Sequence, residues 1–222
     1  LNLVVTSTGT SAHAGNLLNP AFDDTFGVRY IRLGTSAGAW CSHYLQPYTM
    51  LTSFAEYRVG VRVRFENIPS AADNFLYSYG FDLGASGNGA QHVKFLFDRT
   101  VSTTNFQAVT KDGSGTTTTD TGVAINNTAF FNLEMHFDQT VGVATFYIDG
   151  TQVATHSTNI PTSDLFSYIT AARTTASQSQ TTELYYDWNY LSFKAKSGRG
   201  TVVDWGWPHH SFHKTRGDRG IS

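Results

Sequence analysis

Apolar and polar residues alternate with a period of two through much of the chain, and a helical period is almost absent. From Glu56 to Phe65 the sequence reads E-Y-R-V-G-V-R-V-R-F. Tyr57, Val59, Val61, Val63 and Phe65 share one face; Glu56, Arg58, Gly60, Arg62 and Arg64 share the other, as in a strand with one dry and one wet side. The same pattern predicts strands over 74–82, 91–98 and 130–138, with Phe75/Tyr77/Tyr79/Phe81, Val93/Phe95/Phe97 and Phe131/Leu133/Met135/Phe137 as their apolar faces. Segments 143–149 and 152–156 flank Asp149-Gly150, a hairpin turn signal. A last strand, rich in Tyr and Trp, is expected over 184–193, with weaker ones near 3–6, 28–33 and 106–110. The polar stretches 84–89, 111–121 and 174–182 read as loops.

Many short strands without helices predict an all-β fold, a two-sheet antiparallel jelly-roll sandwich with a C-terminal extended arm. The sandwich is taken as one domain, 1–196, and the arm as 197–222, where alternation is lost. The arm carries Val202, Val203, Trp205, Trp207 and Phe212. Large rings need a surface on which to bury, so these five are the expected partner-binding residues.

Composition narrows the class. The chain has 222 residues, 40% hydrophobic and 14% aromatic, which suits a globular domain. Only 14% are charged, well under the usual quarter, so the surface draws its polarity from Thr, Ser, Asn, Gln and Gly. That mix is common in secreted β proteins and in virion proteins. A formal net charge of −2 offers no basic field for nucleic acid or an anionic membrane. A single cysteine, Cys41, excludes an internal disulfide and a multi-thiolate zinc site, and reads as a buried thiol. No apolar run reaches the ~18 residues of a membrane-spanning helix.

Phe131-Asn132-Leu133-Glu134-Met135, the run A-T-F-Y-I-D-G over 144–150, Val153-Ala154-Thr155, Asn159-Ile160-Pro161 and Leu184-Tyr185-Tyr186-Asp187-Trp188 resemble the second half of concanavalin A-like lectin/glucanase domains, the laminin-G-like jelly rolls. The Thr-rich loops and the Asn-Ile-Pro look most like versions found in tailed-phage virion proteins. The resemblance implies a jelly roll and, in its phage form, a structural protein of the particle.

Candidate chemistry is sparse. Of the four Glu (Glu56, Glu66, Glu134, Glu183), none has an acidic partner two residues away on its strand. Glu134 and Asp138 share a face around His136, but four residues of strand span ~13 Å, too far for a glycosidase carboxylate pair. Lyases of this fold resemble a pattern with a spaced Gln-x-His, which Gln91-His92 lacks. There is no G-x-S-x-G, H-E-x-x-H or P-loop. The expectation is therefore no catalytic residue, no metal, no cofactor and no enzyme activity. Arg58, Arg62 and Arg64 could grip an acidic glycan with bidentate forks, and Tyr185 beside Asp187 could stack on a sugar and hydrogen-bond it. The alternative is an ordinary solvent-facing row. His209, His210 and His213, the tripeptide Arg216-Gly217-Asp218 and the sequon at Asn126 are short enough to occur by chance.

The leading expectation is a non-enzymatic virion protein that docks on neighbouring capsid or tail subunits through its arm. The alternative is a carbohydrate-binding module or tail adhesin for a cell-surface glycan. The third is a polysaccharide-cleaving enzyme. No nucleic-acid or membrane partner is expected, and self-association is left open.

Overall fold

The computed structural model describes residues 2–8, 12–14, 29–33, 40–46, 54–66, 68, 75–82, 90–101, 104–163, 166–174, 182–195 and 201–203. Every regular element among them is a strand: β1 (Asn2–Thr8), β2 (Ala12–Ala14), β3 (Arg29–Leu33), β4 (Trp40–Gln46), β5 (Phe54–Phe65), β6 (Phe75–Asp82), β7 (His92–Asp98), β8 (Asn105–Lys111), β9 (Thr116–Ala124), β10 (Phe131–Asp138), β11 (Val143–Ile148), β12 (Thr151–His156), β13 (Phe166–Thr174), β14 (Thr182–Ala195) and β15 (Thr201–Val203). They form two antiparallel sheets. One has seven strands in the order β1-β4-β13-β6-β7-β8-β9; the other has eight, β12-β11-β10-β5-β14-β3-β2, with β15 added beside β14. The predicted all-β sandwich is the observed architecture.

Between the sheets lies an aromatic core. Phe65 of β5 meets Phe75 and Tyr77 of β6, Phe97 of β7 and Phe106 of β8, while Phe146 of β11 stands edge-on to Phe95 of β7. Edge-to-face rings fill the interlayer space and add attraction beyond their buried area. All the apolar faces predicted for β5, β6, β7 and β10 point into this core. The hairpin β11–β12 closes on Asp149 (φ 50°) and Gly150 (φ 76°), the two positive values a tight primed turn needs. Asp149 also accepts hydrogen bonds from the backbone N–H and side-chain amide of Asn132, so the turn is tied to β10.

Some strands escape the alternation rule. β9 begins inside the stretch read as a loop over 111–121. As the outermost strand of its sheet it leaves every side chain exposed or half-buried, so no apolar phase marks it. Its β-branched Thr run and the turn at Asp112 build it instead: the Asp112 carboxylate accepts from the N–H groups of Ser114 and Gly115 and from the Ser114 hydroxyl. These donors, the Ser114 N–H foremost, hold the Asp112 carboxyl below its usual value. In β13 the pairing slips between Tyr168 and Ala171, and that irregularity breaks the period of two.

Candidate functional site

The two sheets turn their second faces away from the core, and those faces differ. On β6, β7 and β8 the outward residues are Ser78, Gly80 and Asp82; His92, Lys94 and Leu96; and Gln107 and Val109. Outward polar side chains of a sandwich are ordinarily wet. Here they are buried: Asp82 is 0% exposed, Lys94 3% and His92 5%, with Ser78 and Gln107 similarly covered. Asp82 faces His92 directly across β6 and β7, which sets their Cβ atoms about 5 Å apart. Lys94 stands two residues along the strand, about 7 Å further on, opposite Gly80. Ser78, Asp82, His92 and Lys94 each have an interaction partner, as buried polar groups require.

Gly80 shapes the floor of this cluster. Its φ is +152°, and an added Cβ would meet the Val93 carbonyl oxygen at 2.3 Å and the Lys94 Cα at 2.7 Å. Only glycine lets β6 and β7 approach so closely there. At the rim, the Gln91 side-chain carbonyl accepts from the N–H groups of Thr162 and Ser163, both at 3.3 Å, and its amide donates to the Ser163 hydroxyl at 2.9 Å. The residues just before β7 are thereby tied to the segment that follows β12.

A carboxylate, an imidazole and an ammonium on one covered face form a set able to neutralise an acidic group and to move a proton. Sequence reading set His92 aside for lacking the spaced Gln-x-His pattern and passed over Asp82 and Lys94, because they occupy the ordinary polar phase of two amphipathic strands. The one available signal was the density of ionisable groups at the β6 end and β7 start.

The outward face of the eight-stranded sheet is open. It brings together Arg58, Arg62 and Arg64 of β5 with Asn132, Glu134 and His136 of β10, since Arg58 pairs with His136 and Arg62 with Asn132. Two of the three guanidinium groups are engaged nearby. Arg64 donates to Glu66 at 2.8 Å and to the Asn127 carbonyl at 3.2 Å, and Arg62 lies 4.3 Å over the Phe130 ring. Arg58 is exposed. Glu134 hydrogen-bonds His136, whose ring packs 4.8 Å from that of Tyr147. Asp138 accepts from the N–H groups of Thr140 and Val141 in the β10–β11 turn, apart from the Glu134–His136 contact. Tyr185 pairs in register with Arg64 and is 6% exposed, so it offers little surface to a sugar. Asp187 lies in β14 where the pairing slips between Tyr186 and Asn189.

Of the arm, Val202 and Val203 belong to β15 and pair with Ser192 and Leu191 of β14, so the chain there turns back onto its own sheet. Trp205, Trp207, Phe212, the three arm histidines and Arg216-Gly217-Asp218 lie outside the described residues. Among the described residues no group of three or more His, Cys, Asp or Glu is placed to hold a metal ion.

No protein-family model and no curated protein sequence matches the chain. Solved structures do match. Alginate lyase A1-II′, a member of polysaccharide lyase family 7, shares 13% identity at a TM-score of 0.56, over 80% of this chain and 86% of that one. A protein of unknown function from Shewanella oneidensis MR-1, SO2946, shares 16% at 0.55, over 90% and 82%. Alginate lyase AlyC3, in complex with dimannuronate, shares 11% at 0.55, over 79% and 77%. The fold is the concanavalin A-like jelly roll. At such identities the likeness speaks for the fold alone. It nonetheless corrects one expectation, that of no enzyme activity: this architecture is shared by several alginate lyases.

Proposed function

We propose that this jelly roll binds an acidic polysaccharide across the outward face of the seven-stranded sheet. The observation that carries the reading is the covered set Asp82, His92 and Lys94, grouped where a sandwich normally shows water a plain polar surface. These groups are covered in the closed chain, so the reading requires the face to open; once open, Lys94 and His92 supply the cationic and hydrogen-bonding partners for sugar carboxylates, and Asp82 accepts from hydroxyls or orients His92. Burial sharpens these contacts, since charges interact more strongly away from bulk water. One of the lyases of similar fold is in complex with dimannuronate, a uronic-acid disaccharide, which agrees with this substrate class. The low charge and Thr-rich loops that suggested a virion protein suit a secreted saccharide-binding domain as well.

The test is calorimetric titration of the full chain with a polyuronate and with a neutral glucan. Polyuronate binding is expected, and Lys94→Gln should weaken it about tenfold or more, the worth of one charge-assisted hydrogen bond. Equal binding of the neutral glucan, or loss of binding on Arg58→Ala and not on Lys94→Gln, overturns the proposal. Ultraviolet absorbance of an unsaturated product in the same mixture separates cleavage by elimination from binding alone.

A further inference from the structure

His156, the last residue of β12, points inward at the seam where the edges of the two sheets meet. It is 3% exposed and packs 5.3 Å from the Phe146 ring. Its two ring nitrogens are both engaged: Nδ1 with the Thr110 hydroxyl of β8 at 3.0 Å, and Nε2 with the Thr119 hydroxyl of β9 at 2.9 Å. A neutral ring satisfies both threonines. The Thr110 hydroxyl has one hydrogen, and it donates that to the Thr158 carbonyl at 3.1 Å. In that arrangement it accepts from His156, with the proton on Nδ1. Nε2 then accepts from Thr119. A second proton on Nε2 turns the Thr119 hydroxyl from donor to acceptor and leaves a buried charge whose hydrogen-bond partners are neutral hydroxyls.

The same seam anchors the root of the segment after β12. The Thr158 carbonyl accepts from Thr110 and its hydroxyl bonds that of Thr117 at 2.8 Å, while Asn159, at φ 50°, donates from its side-chain amide to Thr117 at 2.8 Å. Ile160 packs against the core and Pro161 is buried. The segment then ends on Gln91, next to His92.

No counter-charge awaits a protonated His156. From β8, Lys111 alternates to the outward side; from β9, Asp120 does the same and is held by Asn105 and the Gly122 N–H. Asp112 is closed in its turn, and from β11 Tyr147 lies on the outward face against His136. The hydrogen-bond and ring partners of His156, Thr110, Thr119 and Phe146, and its strand neighbour Ala144 are all uncharged.

We propose that His156 is an acid-sensitive latch for the segment 157–163, releasing it from Gln91 at the edge of the face that carries Asp82, His92 and Lys94. The proposal rests on the reading of that face as the saccharide site and adds its regulation. Protonation places an uncompensated charge among threonines and a phenyl ring, and the imidazole gains by moving to water. The edge strand β12 then loses its tie to β8 and β9, the turn at Asn159 loosens, and the amides of Thr162 and Ser163 lose their place on Gln91. Burial holds His156 below the ordinary histidine value, so release belongs to pH below the ordinary histidine range.

Amide hydrogen exchange on the full chain tests this without any ligand. Once intrinsic rates are divided out, opening at Thr162 and Ser163 should rise about tenfold per pH unit lowered through the titration of His156, as a one-proton linkage requires. Core amides such as Leu133 should not follow. His156→Gln, which keeps a donor and an acceptor but does not titrate here, should make the opening independent of pH. Thr119→Val, which removes the one hydroxyl able to accept from a protonated Nε2, should move the onset to lower pH and gives a second handle if His156→Gln folds poorly. Flat protection at Thr162 and Ser163 in the wild type, or an unchanged pH dependence in His156→Gln, refutes the latch. A chain that shows the pH-dependent opening yet binds no polyuronate keeps the latch and refutes the saccharide site.

Discussion

The outward face of β5–β10–β11 and that of β6–β7–β8 are built by the same rule and end in different states. Both strand sets alternate an aromatic or aliphatic core side with a polar side. On β10 the polar residues Asn132, Glu134, His136 and Asp138 are half-exposed, and they pair with near neighbours or cap the adjoining turn. On β7 the polar residues His92 and Lys94 are buried. Exposed charged groups contribute little to stability and tolerate change, because water replaces a lost partner. Covered ones are costly to keep and costly to disturb. The difference teaches that one alternation rule can leave a polar strand face wet or bury it, and that a buried face must partner its charges within the fold.

The comparison can be broken most forcefully at Gly80. Gly80→Ala puts a Cβ against the Val93 carbonyl and should cost about 3 kcal/mol, read from urea denaturation. A cost near zero would mean that β6 and β7 do not approach as described. A smaller effect sharpens the contrast between faces. Asp82→Ala should destabilise by about 2 kcal/mol through the buried partner it strands, whereas Glu134→Ala on the open face should stay within about 0.5 kcal/mol. Equal costs would erase the distinction.

The next prediction concerns pH and follows from the lowered value of His156. The unfolded chain takes up a proton near the ordinary value of 6.5, while the folded chain resists until lower pH. Stability from this group is therefore present above 6.5, falls as the pH drops toward the native value, and levels off below it. Thermal melts of wild type and His156→Gln across that window should diverge on the acid side and run parallel above it. The smallest effect is expected at Arg58, exposed on the open face. Arg58→Ala should change stability by less than about 0.5 kcal/mol and leave polyuronate affinity unaltered.

Much of the fold was legible in the chain. The five apolar residues from Tyr57 to Phe65, the aromatic series on β6 and β7, and Asp149-Gly150 each carry a local signal that needs no tertiary knowledge. β9 was not legible, because an edge strand half-wet on both sides shows no apolar phase, and β13 hides its period behind a slip in pairing. The candidate site was less legible still. Arg58, Arg62 and Arg64 drew attention as a row of charge, yet the fold gives Arg64 to Glu66 and Asn127 and lays Arg62 over Phe130. Asp82 and Lys94 drew none, and His92 was set aside with Gln91, although register sets the three together.

The amino-acid order alone determined which side of each strand would be dry, where the main hairpin turns, and that the body would be two β layers, because these follow from the two-residue period of a pleated strand and from local turn chemistry. Tertiary structure alone decided which polar side would be covered and which histidine would sit across the seam. Strand neighbours such as β6 and β13, or His156 and Thr110, are far apart along the chain, and no local period encodes what will come to lie over a face.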